Sequence, residues 1–298
     1  MTATVNQTKL RCVVQAATLV AACSIASPVV SAADDLLERG RYLTYAGGCI
    51  SCHTEDVEDA APLAGGRALE TPFGTFFSPN ITPHRETGIG DWSEDGFLAA
   101  LWQGISPEGE HYFPAFPYTS YTGVSRADGL AIRAYLLSLD PVSKVNREHD
   151  LSWYMSSRLA AGAWKAVNFE PRRFAPEAGR DEQWNRGAYL VRHLGHCGEC
   201  HTPRGVTGVL DRGAEMAGGE LGSEKIPNIT PHASDGIGRW STSDIEYFLD
   251  FGMLPGGDFA GSSMAEVIED NTSKLTREDR LAIAAYLKSL PPLESAYD

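Results

Sequence analysis

The sequence contains the pattern Cys-x-x-Cys-His twice, at residues 49–53 and 197–201. Two cysteines three positions apart, followed directly by a histidine, suit four kinds of chemistry: a disulfide, a zinc site, a redox pair or the attachment of haem. The spacing of the motifs and the residues around them discriminate between these.

A single zinc ribbon needs two cysteine pairs roughly 15–20 residues apart, whereas these pairs lie 148 residues apart. A thioredoxin-like pair needs no histidine and lies in a βαβ unit, of which the sequence shows no pattern. Cys-x-x-Cys-His is the attachment pattern of haem c, in which both thiols bond one porphyrin and the adjacent imidazole reaches its iron. We therefore predict two covalently attached haem c groups, held by Cys49, Cys52 and His53 and by Cys197, Cys200 and His201.

The two motifs belong to an internal repeat with a constant offset of 148 residues. The recurring segments are Pro-Asn-Ile-Thr-Pro-His (79–84 and 227–232), Gly-Ile-Gly (88–90 and 236–238) and Trp-Ser (92–93 and 240–241). Two copies indicate a duplicated domain, because a solenoid needs at least three repeats. We expect a domain at 34–140, a linker at 141–180 and a second domain at 181–298.

Apolar periodicity predicts three helices in each copy, and no strand alternation persists beyond a few residues. The predicted ranges are 34–46, 94–103 and 126–138 in the first copy and 181–194, 244–251 and 277–289 in the second. Ser125 and Thr276 fit N-caps, and Ser243 with Glu246 fits a capping box. The fold class is therefore mainly α, and the apolar linker is expected to pack as a short helix.

The iron of a c-type haem usually takes a sixth ligand, commonly a methionine. In the second copy Met264 is the candidate, because it precedes the last helix and follows His201 by 63 residues. Met253 and Met216 are the alternatives.

The first copy has no methionine at the matching position, which is Phe116. Phenylalanine cannot bind iron, so the first haem either takes another ligand or keeps an open site. His111 is the candidate ligand nearest in sequence to Phe116, and Met155 in the linker is another. His111 also fits an ordinary histidine of a surface loop.

Four repeated side chains carry N–H donors that suit the negative haem propionates: Asn80, Asn228, Trp92 and Trp240. The asparagines also fit turn chemistry, and the tryptophans also fit the core.

Residues 1–33 have the pattern of an export signal peptide. Lys9 and Arg11 form the basic start, 13–22 the apolar stretch, and Pro28 breaks it before a small-residue cleavage site. A membrane anchor is the weaker alternative, and Cys23 also fits a lipoprotein site. Each of these readings takes the protein out of the cytoplasm, to the periplasm or its membrane surface.

The composition is acidic, with 25 Lys and Arg against 39 Asp and Glu and a formal net charge of −14. Binding of nucleic acid needs a cationic face, so the balance argues against a nucleic-acid partner. It favours a basic protein partner.

Five segments resemble the class I cytochrome c family, and more narrowly the multihaem cytochrome c subunits of bacterial alcohol, gluconate, sorbitol and aldehyde dehydrogenases. The segments are 47–54, 69–75, 80–83, 114–118 and 184–187. The resemblance implies two tandem class I cytochrome c domains. The three-haem members have a third Cys-x-x-Cys-His motif and a membrane-associating segment, whereas here we expect no transmembrane helix and membrane contact only through a partner or lipidation. The resemblance also implies that the two domains pass electrons from a periplasmic dehydrogenase to an oxidase or a quinone-linked acceptor. The resemblance assigns no iron ligand at Phe116, because related chains have a methionine ligand at this position.

Two functions therefore remain open. The first is an electron-transfer subunit of an oxidoreductase complex, in which the haems do the redox chemistry. The second, favoured by Phe116, is a dihaem enzyme resembling a thiosulfate dehydrogenase or a peroxidase, with substrate binding at an open first haem.

Overall fold

The computed structural model describes residues 1–2 and 32–297, except Tyr154 and Ser223. The basic start and apolar stretch of the predicted signal peptide, and the possible lipidation site at Cys23, lie outside the described residues. No helix in the described part of the chain is both long and apolar enough to cross a membrane.

Each repeat runs in the same order: a long helix, a short helix at the Cys-x-x-Cys-His motif, a β-hairpin and three further helices. The first repeat has α1 (Ala32–Ala46), α2 (Cys49–His53), β1 (Ala68–Thr71), β2 (Gly74–Phe77), α3 (Glu94–Gln103), α4 (Tyr118–Tyr121) and α5 (Arg126–Leu137). The linker has β3 (Asp150–Leu151) and α6 (Arg158–Asn168). The second repeat has α7 (Glu182–Tyr189), a π-helical turn (Leu190–Leu194), α8 (Gly198–His201), β4 (Gly219–Leu221), β5 (Glu224–Ile226), α9 (Thr242–Phe251), α10 (Ser262–Asp270) and α11 (Arg277–Lys288).

The six predicted helices are present within a few residues, but α4 and α10 were not predicted. Two of the predicted caps are confirmed. The side chains of Ser125 and Thr276 accept hydrogen bonds from backbone amides at the starts of α5 and α11. The predicted capping box of Ser243 and Glu246 is wrong, because the box is formed two residues earlier by Ser241 with Asp244. Glu246 is buried and paired with Arg280, so it is not available to the cap.

The fold is mainly α, as predicted, but it also contains two hairpins that the sequence pattern missed. Their strands have only three or four residues, too few for a period-2 pattern to stand out. The linker adds β3 to the first hairpin, where it pairs antiparallel with β2. It then forms α6, so the prediction that the linker packs as a short helix is confirmed.

The first and last helices of each repeat cross in close contact at a glycine. A Cβ at Gly40 would lie 2.0 Å from the carbonyl oxygen of Ala131, and one at Gly187 would lie 2.0 Å from that of Ala282. Any larger residue would push α1 away from α5, or α7 away from α11.

One main core contains buried side chains from both repeats. Leu43 and Leu136 of the first repeat belong to the same cluster as Leu190 and Tyr286 of the second. A smaller cluster joins Phe76, Phe113 and Ala161, and thereby packs α6 against the first hairpin. Because the main core is continuous across the repeats, their division into two tandem domains stays a prediction.

Two equivalent polar clusters tie the repeats together. In the first, Asp128 of α5 accepts hydrogen bonds from Arg39 of its own repeat and from the Tyr189 hydroxyl of the other, at 2.6 Å. In the second, Asp279 of α11 accepts from Arg186 of its own repeat and from the Tyr42 hydroxyl of the other, also at 2.6 Å. Each repeat therefore supplies a tyrosine to complete the carboxylate site of the other.

The tyrosines also contact the helix starts. The amide of Thr276 donates to the Tyr42 oxygen at 3.1 Å, and that of Ser125 donates to the Tyr189 oxygen at 3.3 Å. Burial alone would raise the pKa of Asp279, but hydrogen bonds from Arg186 and Tyr42 bring it below its usual range. Asp279 therefore stabilises the fold at neutral pH, and this contribution is lost as the pH falls through its lowered pKa.

Replacement of Tyr189 by Phe should lower the free energy of unfolding by about 1.5–3 kcal/mol, the usual range for a hydrogen bond to a charged group. The substitution keeps the ring and removes the hydroxyl, and with it the bond to Asp128 and the longer bond from the Ser125 amide. Urea unfolding followed by circular dichroism measures the effect. Tyr247→Phe, at an exposed tyrosine, is the matched control, and equal midpoints for the two variants would contradict the assigned role.

Candidate haem sites

The histidine of each motif is oriented by one hydrogen bond to a proline carbonyl. His53 Nδ1 lies 2.8 Å from the Pro79 oxygen, and His201 Nδ1 lies 2.8 Å from the Pro227 oxygen. A carbonyl only accepts, so Nδ1 carries the hydrogen and Nε2 keeps its lone pair. This tautomer leaves Nε2 able to bind a metal, with the second nitrogen held as in known metal-ligating histidines.

Burial sets the protonation of both motifs. It lowers the pKa of His53 and His201, which keeps their imidazoles neutral at neutral pH. Burial also raises the pKa of Cys49 and Cys197 to about 12, so these thiols stay protonated in the bare chain. The four described cysteines are free thiols and form no disulfide.

Equivalent contacts fix the loop that returns past each histidine. Thr54 Oγ1 accepts from the Leu63 amide at 3.2 Å, and Thr202 Oγ1 accepts from the Met216 amide at 3.0 Å. In the first repeat, a Cβ at Gly65 would lie 2.4 Å from the Pro79 carbonyl carbon, and φ there is +71°. Glycine at this position lets the proline carbonyl come close to His53.

A cavity of about 770 Å³ lies against the first motif and is lined by Cys49, Cys52 and His53. Its volume is in the range of cofactor pockets, roughly 300–1,000 Å³. Most of the wall is apolar, and Leu194 of the second repeat also contributes to it. Paired thiols, an oriented imidazole and an apolar space beside them suit a covalently attached haem.

Asn80 and Asn228 hold their own loops together. Asn80 Nδ2 donates to the Val142 oxygen and to Thr87 Oγ1, and Asn228 Nδ2 donates to the Leu293 oxygen at 2.7 Å. The side-chain oxygen of each accepts the amide two residues later, which is the turn chemistry that the sequence also suggested. Asn80 lines the cavity, and a propionate contact for either asparagine stays a prediction.

Trp92 and Trp240 are both half-buried against the main core. Trp92 lines the first cavity, and Trp240 packs edge-on against Phe248 with ring centroids 5.4 Å apart. Their contact with propionates likewise stays a prediction.

Phe116 lines the first cavity, and Met264 lies at the matching place in the second repeat, near the start of α10. Both are half-buried against the main core. Met253 instead forms an isolated antiparallel β-bridge with Phe259, and Met216 is fully buried beside Gly198. The role of Met264 as an iron ligand stays a prediction.

His111 is not among the residues that line the first cavity. It packs against α6, where its Nδ1 lies 3.2 Å from Lys165 Nζ and its ring touches Gly162. Met155 follows β3 and is half-buried. The sixth ligand of the first haem is therefore still a prediction, and the structure does not bring His111 to the cavity wall.

Sequence reasoning missed the part of the linker that completes this wall. Arg147, His149 and Arg158 line the cavity. The guanidinium of Arg147 lies 3.8 Å from the centre of the Phe77 ring. His149 Nδ1 accepts the Phe77 amide at 3.1 Å, which places its hydrogen on Nε2. The pairing of β3 with β2 brings these residues to the cavity, and no local pattern encodes that pairing.

The segments that lead into the two motifs are in direct contact. The Tyr121 hydroxyl donates to the Gly47 oxygen at 2.6 Å, and Asn271 Nδ2 donates to the Ala46 oxygen at 3.3 Å. A Cβ at Gly48 would lie 3.6 Å from His196 Nε2. The two attachment helices, α2 and α8, are therefore near neighbours.

Glu199, inside the second motif, adds a polar link to the first repeat. Its carboxylate accepts from Ser120 Oγ at 2.6 Å, from Thr119 Oγ1 at 2.9 Å and from Arg204 Nη2 at 2.5 Å. Burial alone would raise its pKa, but the charge of Arg204 and these hydrogen bonds lower it. Glu199 is thus a buried, fully partnered anion between α8 and α4.

The chain is similar over most of its length to several c-type cytochromes. A diheme cytochrome c-type protein of Cereibacter sphaeroides is 44% identical over 261 residues, which are 86% of each chain. The cytochrome c subunit of gluconate 2-dehydrogenase from Pantoea cypripedii is 40% identical, and the cytochrome subunit of fructose dehydrogenase from Gluconobacter japonicus is 38% identical. Each match covers 86% of this chain.

The matched region covers 60% of the gluconate dehydrogenase subunit and 52% of the fructose dehydrogenase subunit. No protein-family profile matches the chain. The diheme protein, in contrast, matches over most of both sequences. Together with the two equivalent Cys-x-x-Cys-His sites, this similarity shows that the chain belongs to the dihaem c-type cytochromes.

Proposed function

We propose that this protein is an exported dihaem cytochrome c that transfers electrons from a periplasmic dehydrogenase to an oxidase or a quinone-linked acceptor. The observation that carries the proposal is the pair of equivalent sites, each with two cysteines and a histidine held by a proline carbonyl. Three relatives are named cytochrome subunits of gluconate, fructose and alcohol dehydrogenases, which supports a dehydrogenase as the donor.

In this proposal the chain holds each haem by three side chains. Cys49 and Cys52 bond the first porphyrin and Cys197 and Cys200 the second, while Nε2 of the adjacent histidine binds the iron. The haem supplies one-electron chemistry; the protein sets its potential, its distance to the next haem and its docking surface.

The residues just ahead of α2 and α8 pack together, which supports a short separation of the two haems, as electron transfer between them requires. Gly47, Gly48 and His196 pack together just ahead of the attachment cysteines. The reciprocal bonds of Tyr42 and Tyr189 hold this arrangement by fixing each repeat to the other.

The propionates of the first haem need donors near the cavity. Trp92 and Asn80 were predicted from the sequence, and Arg147, Arg158 and the Nε2–H of His149 also line that wall. In the second repeat we assign the propionate contacts to Asn228 and Trp240. Met264 is the proposed sixth ligand of the second iron, and His111 remains the sequence candidate for the first.

Haem attachment is tested by the mass of the exported, purified protein. Wild type should carry two haems that survive denaturation and acid-acetone washing. The Cys49→Ser/Cys52→Ser variant and the Cys197→Ser/Cys200→Ser variant should carry one each, and Ser51→Ala, within the first motif, should keep both. A wild-type mass equal to that of the bare polypeptide would refute the proposal.

The donor is tested by stopped-flow reduction of the oxidised holoprotein with purified alcohol, gluconate, fructose, sorbitol and aldehyde dehydrogenases. We expect one of them to reduce both haems at a rate that supports turnover. If none exchanges electrons with the protein, the electron-transfer function fails while haem attachment can still stand.

A dihaem enzyme is the second candidate, since Phe116 lies on the first cavity wall where its counterpart is a methionine. Electron paramagnetic resonance separates the two functions. Two low-spin haems that ignore carbon monoxide and cyanide support a carrier, whereas a high-spin first haem that binds them supports an enzyme.

The ligand assignment is tested in the same spectra. Met264→Leu should convert the second haem to high spin and lower its reduction potential, because a thioether favours the ferrous state. Met253→Leu is the matched control and should change neither haem. If His111 binds the first iron, His111→Ala makes that haem high-spin; an unchanged spectrum removes His111 from the ligand set.

A further inference from the structure

The outward face of α6 is apolar from Leu159 to Val167, before the exposed Asn168 that ends the helix. Leu159 is 83% exposed and Val167 is 82% exposed, and Ala163 and Ala166 between them are also exposed. These positions follow the spacing i, i+4, i+7 and i+8, so they lie on one side of the helix. We call these four residues the α6 stripe.

The inward face of α6 carries the polar anchor instead. Lys165 is buried, and its Nζ donates to the oxygens of Gln103 and Gly104 at the end of α3, at 2.7 and 2.6 Å. A surface helix normally turns its apolar side to the core and its charges to water. In α6 the inward face has both this anchor and the buried Ala161, while the outer face is apolar as well, and an exposed apolar face marks a surface that another molecule covers.

The α6 stripe lies beside the first haem site. Ser156 and Arg158, at the start of the helix, line the first cavity, while Ala161 packs on Phe76 and Phe113 next to it. On another side, Trp164 Nε1 donates to the Thr207 oxygen, and the adjacent Val206 is 97% exposed. A molecule seated on the stripe would therefore lie close to the first haem.

Charge indicates which molecule fits. Glu108, Glu110 and Glu148 line the same cavity together with Arg147 and Arg158, so acidic side chains outnumber basic ones there by three to two, and Glu110 lies 3.9 Å from Arg158. The whole chain has a formal net charge of −14. A second copy of the chain or an anionic membrane would bring like charges together, whereas a basic protein surface would be attracted.

We propose that the α6 stripe is the docking surface for the electron-donating dehydrogenase, which meets it with an apolar patch bordered by Lys and Arg. The inference rests on the proposed function and adds the partner's contact surface to it. Electrons would then enter at the first haem, since that site adjoins the stripe.

The test uses the dehydrogenase that reduces wild-type holoprotein in the panel above. Leu159→Glu and Val167→Glu place a charge in the interface, and each should slow reduction at least tenfold, as expected for a central interface residue. Val57→Glu makes the same change at another exposed valine and should leave the rate unchanged. Both haem content and reduction by dithionite should match wild type in all three variants.

A cross-linking experiment tests the docking surface without the panel of purified dehydrogenases. A photoreactive label on Ala163→Cys, in holoprotein returned to the periplasm of the producing cells, should capture a dehydrogenase subunit identified by mass spectrometry. The same label on Val57→Cys should not. Failure to capture a dehydrogenase at position 163 overturns the docking proposal.

Three other outcomes also overturn it. Unchanged reduction of Leu159→Glu and Val167→Glu by an active donor places docking elsewhere and leaves the electron-transfer function intact. Wild-type dimers in light scattering that dissociate in these variants assign the stripe to a second copy. Binding of wild type, but not of the variants, to vesicles of phosphatidylglycerol and phosphatidylethanolamine assigns it to the membrane.

Discussion

A hydrogen bond from histidine Nδ1 to a proline carbonyl fixes the chemistry of each repeat. Without it, either ring nitrogen of His53 or His201 would be free to carry the hydrogen, and the ring would be free to turn. With it, Nε2 is kept as the lone-pair donor. The threonine behind each histidine and the close packing at Gly65 hold the carbonyl in place, so much of the local fold serves to position one oxygen atom.

The two repeats depend on each other for the hydrogen bonds of their buried carboxylates. Asp128 and Asp279 are each satisfied by an arginine of their own repeat and a tyrosine of the other. A buried carboxylate that loses one donor carries a desolvation cost, so separation of the repeats is opposed at two equivalent places. Glu199 of the second repeat adds a third polar link between the repeats, and this link is not duplicated.

Much of the fold and of the two sites could be predicted from the sequence, because the constant offset allows equivalent residues of the two repeats to be compared. The helix boundaries, the N-caps Ser125 and Thr276 and the mismatch of Phe116 with Met264 all follow from local patterns. The hairpins were missed because their strands are too short to show a period. The tyrosine–aspartate pairs, the entry of Arg147 and His149 into the cavity wall and the placement of His111 on α6 depend on contacts between distant residues, which no local pattern records.

The position of the linker in the first cavity wall has a consequence for the order of assembly. Chains are synthesised from the amino end, and domains generally begin to fold in that order. The first repeat lacks β3 and α6 until the linker has followed it, and it lacks the Tyr189 hydroxyl until later still. The amino-terminal half is thus synthesised first, but its contacts are completed only after the linker and part of the second repeat have followed.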